Sequence, residues 1–527
     1  MTAAPRPDPA PALPPGRWVL PAGLAVCFFL GLGSLPLFDL DEGAFAEATR
    51  EMLQRGDFIT TYLDGELRFD KPILIYWLQA LAVAVIGVDE WAFRLPSALA
   101  ASAWMLAVYR FGREHIDETT GVLAALLGMT SAAVVVIGRA ATADALLNLW
   151  LALTLLTMYR HHQRPERRLV LLTFLFMGLG FLTKGPVAVA IPGAVSLLFF
   201  ASTGHARQWL RAVFTPLGWL VFLAVAGPWY GLEYLDQGQA FIDGFFLKHN
   251  VGRFSDTMES HGGALYYYLL ATPAVVLPWT GLLLAVVPTL GRVLADPLDC
   301  FLWIWFGLVF VLFSLSGTQL PHYILYGATP LFLLMARHRA RLRSRWLAFA
   351  PPLALLALVA ALPWLLPELL PQVRGDYERA MLGRSEAAFD LLYHVSAWLG
   401  LGLTLALALW RRLPPWQGLV LVGLVQVTAL QASLGAAFAE LQQAPVKRAA
   451  AVARGLDAPV VSYRIRMPSF SVYRGEITPP ARPPAPGDVV YTRVDRLDDL
   501  PAHETLSRQG GIALVRLEGQ PAERPSP

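Results

Sequence analysis

Residues 142–200 read TADALLNLWLALTLLTMYRHHQRPERRLVLLTFLFMGLGFLTKGPVAVAIPGAVSLLFF. Three apolar runs, near 142–160, 168–183 and 185–201, follow one another. Only the basic loop RHHQRPERR (Arg160–Arg168) and the short Thr183-Lys184-Gly185-Pro186 break separate them. Each run is roughly as long as a helix that crosses ~30 Å of hydrocarbon. The stretch therefore reads as consecutive membrane helices, and the rest of the chain repeats the pattern.

The 527 residues are 55% hydrophobic and 15% charged, with a mean hydropathy of +0.49. Soluble domains carry about 25% charged residues. A soluble chain of this length would need that charged surface, so a cytosolic enzyme, a fibrous protein and a disordered chain are excluded. The expected fold class is a polytopic α-helical membrane protein. A net charge of +3 gives no sign of a nucleic-acid partner. Cys27 and Cys300 are too far apart in sequence for a metal-ligand spacing and too few for a disulfide framework, so both read as packing residues. Residues 1–16 are Pro/Ala-rich and read as a disordered cytoplasmic tail. The run behind them shows no small-residue cleavage site and reads as a retained helix.

Further apolar runs lie near 17–38, 73–88, 92–111, 119–138, 212–230, 264–290, 298–316, 321–336, 346–366, 388–410 and 414–436. Short Lys/Arg-rich loops stay cytoplasmic, and the clearest are Arg160–Arg168, Arg337–Arg345 and Arg411-Arg412. If every run crosses, all three fall outside; if 73–88 lies at the interface, all three fall inside. About 13 spans are then expected in a domain covering 17–440, with a first outer loop over 39–90. From 441 to 527 the composition changes to short strand-like pieces, VVSYRI, SFSVYR, DVVYTRV and IALVRL, between Pro/Gly-rich turns. These read as a small α/β domain on the outer side, where a structural cap and a substrate-facing role fit equally well.

Polar residues collect on that same outer face. Asp41 and Glu42 stand where apolar chain meets water, and a carboxylate there can act as a general base. Glu47, Arg50 and Glu51 follow at helical spacing and read as the solvated side of an amphipathic surface helix. Asp70-Lys71-Pro72 sits at a helix entry, where Lys71 suits a phosphate oxygen and Asp70 a metal or an acceptor. Arg139 and Asp144 stand at the outer ends of consecutive spans, where a charge needs a polar cavity or a mutual salt bridge. Lys184 ends one run and precedes Gly-Pro, a placement that suits an anion. The loop KHNVGRFSDTMESHGGALYYY adds His249, Arg253, His261 and Tyr266–Tyr268, two of these tyrosines reading as an interfacial belt. His322 and Tyr323 open the run at 321–336. Carboxylates, cations, histidines and tyrosines on one face suit an enzyme acting on a phosphorylated, membrane-borne substrate. A transporter more often places its polar residues near mid-span.

The series DE-x-x-F-A-x-x-x-R-E-M (Asp41–Met52), DKP-x-L-x-YW (Asp70–Trp77), R-x-P-S (Arg94–Ser97), R-A-x-x-x-D (Arg139–Asp144), FLTKGP, the His249–Tyr268 pattern and P-x-Y-I-L (Pro321–Leu325) resembles the GT-C membrane glycosyltransferases. It is similar to the group of the lipid A aminoarabinose transferases (ArnT-like) and the dolichyl-phosphate-mannose–protein mannosyltransferases. The resemblance runs from about Leu35 to Tyr326, and more weakly through Pro468–Phe470 and Tyr473. It implies a GT-C fold in the bacterial inner membrane, with the site and the C-terminal domain periplasmic. It implies inverting transfer of a sugar from a polyprenyl-phosphate donor to a membrane lipid or glycolipid acceptor, by a monomer. Asp41 would be the catalytic carboxylate, with Glu42 beside it and Asp144 a second acid. Lys71, Lys184 and Arg253 would hold the donor phosphate, and Arg139, His249, Tyr267, His322 and Tyr323 would line the cavity. Asp70 with His261 would match a divalent-metal pair, and no nucleotide cofactor is implied. Ala44-Phe45 stand where relatives have Arg-Tyr, and Gly317 and Gln319 where relatives carry lysines, which weakens the case for a doubly phosphorylated lipid A acceptor. A protein O-mannosyltransferase and a lipid-linked-sugar flippase are the alternatives.

Overall fold

The computed structural model describes residues 16–252, 264–481 and 483–519. Its first half is a set of helices that pass back and forth between two ends: α1 (Gly16–Leu24), α2 (Asp41–Arg55), α3 (Leu74–Ile86), α4 (Glu90–His115), α5 (Glu118–Thr130), α6 (Ala132–Arg139), α7 (Asp144–Gln163), α8 (Arg167–Lys184), α9 (Val187–Ser202), α10 (Ala206–Val213) and α11 (Pro216–Gln237). Local chemistry sets the boundaries. Asp89 caps α4 by accepting from Trp91 N, and Asp117 caps α5 by accepting from Thr120 N. Between these two helices, a Cβ on Gly112 would stand 2.8 Å from Gly121 Cα, so only paired glycines allow so close a crossing. Helix α8 stops where Gly185 turns to φ 73°, and Pro186 then opens α9.

The interior is filled with large apolar side chains, Trp104, Trp279 and Trp305 among the fully buried ones. Leu81, Leu99, Leu220, Leu358 and Leu403 are exposed on the helices' outer faces, the reverse of a soluble protein and the arrangement hydrocarbon favours. Among the described residues, five helices are long and apolar enough to cross a membrane, or seven if two bent pairs each count once. The remaining apolar runs of the sequence form shorter, bent or more polar helices. Helix α3, from the run assigned to the interface, has 13 residues, about 20 Å of length and too short to cross. α5 and α6 meet at a 70° bend, and the run at 321–336 divides into a 3-10 segment, Pro321–Gly327, and the helix Ala328–Arg337.

The three basic loops gather at one end. Arg160 pairs with Glu114 at 2.7 Å, Arg339 donates to Thr120 Oγ1 at 3.0 Å, and Arg345 donates to the carbonyls of Leu407, Ala408 and Leu413. Asp144, Lys184 and α2 lie at the opposite ends of the helices that reach those loops.

The C-terminal unit has a hairpin-free helix entry and a four-stranded sheet. With the small hairpin β1 (Tyr62–Leu63) and β2 (Glu66–Leu67) numbered first, the sheet comprises β3 (Val460–Ser462), β4 (Val489–Arg493), β5 (His503–Gln509) and β6 (Ile512–Leu517), in the order β3-β4-β6-β5. β3 and β4 are parallel and the other pairs antiparallel. SFSVYR, expected as a strand, is the helix Ser469–Arg474: Pro468 opens it and left-handed Gly475 closes it. The sheet's core also takes Tyr377 and Met381 from the helix Asp376–Leu382, so the packed unit recruits chain from before residue 441.

Candidate active site

α7 begins at Asp144 and α8 ends at Lys184, and the two helix ends meet. Lys184 Nζ donates to Asp144 Oδ1 at 2.6 Å and to Tyr326 Oη at 2.8 Å, and Tyr326 Oη donates to Asp144 Oδ1 at 3.0 Å. Both charged side chains are only 12% exposed. The 3-10 segment Pro321–Gly327 puts residues three apart on one face. Tyr323 and Tyr326 therefore stack, with Lys184 Nζ 5.5 Å from each ring. His322 Nε2 lies 3.8 Å from Asp144 Oδ1 and within electrostatic reach of Asp41 and Lys71. Asp144, Lys184, His322, Tyr323 and Tyr326 thus form one cluster, with Asp41 and Lys71 in its electrostatic neighbourhood.

Asp41 is the first residue of α2; its side chain is exposed and makes no hydrogen bond or ion pair among the described residues. Lys71 Nζ donates to Asp70 Oδ1 at 2.8 Å, and Arg68 donates to Asp70 Oδ2 at 3.1 Å. Each carboxylate oxygen already accepts from a cation, and among the described residues no three His, Cys, Asp or Glu side chains come together as a metal site. His261 and Arg253 lie outside the described residues, and His249 falls in the π-helical segment Ile242–Gly252 with its side chain outside the description. Tyr268 donates to Leu320 O at 2.8 Å, while Tyr267, half-buried, lines an open apolar cleft of about 420 Å³ with Tyr266 and Leu270 rather than joining the Asp144 cluster.

Two expected site residues prove structural. Glu42 is buried and accepts four hydrogen bonds, from Arg94 Nε (2.8 Å), Arg94 Nη2 (2.7 Å), Phe38 N (2.9 Å) and Ala141 N (2.7 Å). A carboxylate saturated by a bidentate guanidinium and two amides has no capacity left for an acceptor proton. Arg94 also donates to the carbonyls of Leu32, Leu35 and Pro36, so the R-x-P-S motif locks the loop before α2. Arg139 makes no pair with Asp144; it donates to Gly31 O at 2.9 Å and Cys27 O at 3.4 Å, and so ties α6 to the segment that follows α1.

Nor is α2 a solvated surface helix. Every residue from Glu42 to Met52 is buried, because the C-terminal domain roofs it. Glu47 and Arg50 form a buried bidentate pair, and Arg50 Nη1 reaches Gly475 O at 3.1 Å. Helical spacing of charges looks the same for a wet face as for one satisfied by another domain. The sequence reading gave no role to Tyr326, Arg68, Ser469 or Tyr473; the signal for Tyr326 was its three-residue offset from Tyr323 in a segment opened by proline.

This architecture, with a polar cluster at the helix ends away from the basic loops and a small domain over α2, is the GT-C membrane glycosyltransferase fold. It superposes on the crystal structure of ArnT from Cupriavidus metallidurans bound to undecaprenyl phosphate with a TM-score of 0.78, covering 94% of this chain and 97% of that one at 20% identity. The family profile described as dolichyl-phosphate-mannose-protein mannosyltransferase matches residues 70–231. The chain is 31% identical over 329 residues to the undecaprenyl phosphate-alpha-4-amino-4-deoxy-L-arabinose arabinosyl transferase of Yersinia enterocolitica, covering 61% of this chain and 59% of that protein. It is 31% identical over 340 residues to an uncharacterized protein of Aquifex aeolicus, covering 62% of this chain and 73% of that one. The chain thus shares a family with that Aquifex aeolicus protein, has the GT-C fold, and is similar in sequence to the ArnT-like transferases, of whose length it spans about three fifths.

Proposed function

We propose that the protein transfers a sugar from a polyprenyl-phosphate donor to an envelope lipid acceptor of the lipid A type, with inversion at the anomeric carbon. The observation that carries this reading is the enclosed Asp144–Lys184–Tyr326 cluster, with exposed Asp41 and the largely buried, Asp70-paired Lys71 in its electrostatic neighbourhood. Asp41 takes the proton of the acceptor hydroxyl, whose oxygen forms a bond to the anomeric carbon. The bond from that carbon to the phosphate oxygen breaks, and the lipid phosphate leaves with the electron pair. Lys184 stabilises the departing charge at short range, with Lys71 as the second cation. Asp144 and Tyr326 hold Lys184 by hydrogen bonds and fix where its ammonium points.

The donor carries its own leaving phosphate, so the proposal needs no nucleotide cofactor. A divalent ion at Asp70 would have to displace Arg68 and Lys71, and no step is routed through one. With the basic loops cytoplasmic, the site and the C-terminal domain face the periplasm of an inner-membrane protein. The unit proposed to act is the monomer.

The test is transfer by the purified full chain in detergent, with extracted polyprenyl-phosphate sugars and envelope lipids. Wild type is expected to make glycosylated lipid and Asp41→Asn none. Equal product from both would remove Asp41 from the mechanism. Because the matching family profile is described as a protein mannosyltransferase, a Ser/Thr-rich peptide is included as an acceptor. Transfer to the peptide in place of lipid would overturn the proposed acceptor class.

A further inference from the structure

Asp41 has no bonded partner among the described residues, yet its neighbours on both sides are held. On the C-terminal side Glu42 is fixed by Arg94, Phe38 N and Ala141 N. On the N-terminal side the holding groups belong to the C-terminal domain, more than 400 residues away in the chain. Asp39 Oδ1 accepts from Ser469 N at 3.1 Å, and Asp39 Oδ2 accepts from Ser469 Oγ. Leu37 N donates to Tyr473 Oη at 2.6 Å, and that phenol donates to Glu90 Oε1 at 3.1 Å, where Lys447 also pairs. The helix Ser469–Arg474 supplies both Ser469 and Tyr473, and it is pinned further by Ser471 Oγ on Asp64 Oδ1 at 2.8 Å and by Arg50 on Gly475 O. The approach is close: a Cβ at Gly43 would collide with the Asp39 carboxylate and stand 2.7 Å from Ser469 N.

We propose that the C-terminal domain is a positioning element of the transfer site, setting the place of Asp41 through Ser469 on Asp39 and Tyr473 on Leu37. This rests on the reading of Asp41 as the base. A general base must meet the acceptor hydroxyl within hydrogen-bond reach, and misplacement by about 1 Å costs about 100-fold in rate. A carboxylate with no bond of its own depends on its backbone for that geometry. Ser469 and Tyr473 act two to four residues from Asp41 and are positioning residues, not catalytic ones.

The experiment uses the full chain as wild type, Ser469→Ala, Ser469→Thr and Tyr473→Phe: the alanine and phenylalanine variants each delete one hydroxyl, while Ser469→Thr keeps the hydroxyl and adds a methyl. Hydrogen exchange of peptides covering residues 36–44 is read first, because it does not require activity. Exchange is expected to quicken in Ser469→Ala and Tyr473→Phe and to stay near wild type in Ser469→Thr. Steady-state transfer should then show kcat falling by about 10- to 100-fold in the first two, with KM for the lipid-phosphate donor unchanged. Wild-type exchange and wild-type kcat in both hydroxyl deletions would overturn the proposal. A rise in KM at constant kcat would also overturn it, by placing the domain in substrate binding. If wild type itself transfers nothing, the functional reading fails, and the exchange data alone decide whether the domain clamps this loop.

Discussion

Lys184 Nζ lies 2.6 Å from Asp144 Oδ1, joining the last residue of one helix to the first residue of another across 40 positions of chain. The pair is enclosed, and Tyr326 satisfies both partners. Removing one member of a buried pair leaves an uncompensated charge and costs about 3–5 kcal/mol. Lys184→Met is therefore expected to lower the thermal midpoint in detergent and to weaken binding of undecaprenyl phosphate at least about tenfold, a loss near 1.4 kcal/mol. The double variant Lys184→Met/Asp144→Asn should regain much of the stability and none of the lipid-phosphate binding. Binding restored along with stability would mean that the ammonium does not hold the phosphate.

Asp41 is exposed and bonded to nothing among the described residues, so Asp41→Asn should leave the thermal midpoint unchanged. Its expected effect is on kcat, by about 10²–10⁴-fold for the loss of a general base. A stability loss of the size expected for Lys184→Met would show instead that Asp41 has a structural partner.

Glu42 and Arg94 should behave in the opposite way. Arg94→Leu removes five donated hydrogen bonds and strands a buried carboxylate, for an expected loss of about 3–5 kcal/mol. Glu42→Gln keeps the shape but loses the charge-assisted bidentate bond. Denaturant-dependent unfolding followed by tryptophan fluorescence measures both. Any Glu42→Gln protein that remains folded should retain measurable transfer, and a folded, stable and inactive Glu42→Gln would return Glu42 to the chemistry.

Two carboxylates at the seam between α2 and the C-terminal domain titrate above their usual range. Burial pushes Asp39 up to about 7, partly offset by its bonds from Ser469 and assisted by the charges of Asp64 and Glu42. Burial likewise lifts Asp64 to about 6, against its bond from Ser471 and with the charge of Glu51 acting upward. The folded state thus binds these protons more tightly than the unfolded chain, so their contribution to stability is fully present below about pH 4 and is lost as pH rises to about 7. Between those limits the midpoint should fall with rising pH, and the slope should shrink in Asp39→Asn. A midpoint that rises through the same window in wild type and variant alike would contradict this linkage.

Much of this protein was legible one residue at a time. Membrane helices need long apolar runs, so composition and run length alone decided the class. Short basic loops carry the orientation signal, and those at Arg160–Arg168, Arg337–Arg345 and Arg411-Arg412 do meet at one end of the fold. Asp144 and Lys184 could be singled out because a charge beside hydrocarbon needs a reason to be there.

What only the tertiary structure decided is which of two adjacent acids stays exposed. Asp41 and Glu42 are neighbours with the same chemistry in sequence, but the rotation of about 100° between consecutive residues of α2 leaves Asp41 exposed and delivers Glu42 to Arg94. The same holds for Arg139, which satisfies backbone carbonyls on the segment that follows α1, and for α2 itself, whose charged side is covered by a domain more than 400 residues away. Burial and pairing are properties of what packs against a residue, and contacts made at long sequence separation leave no periodicity in the segment that receives them.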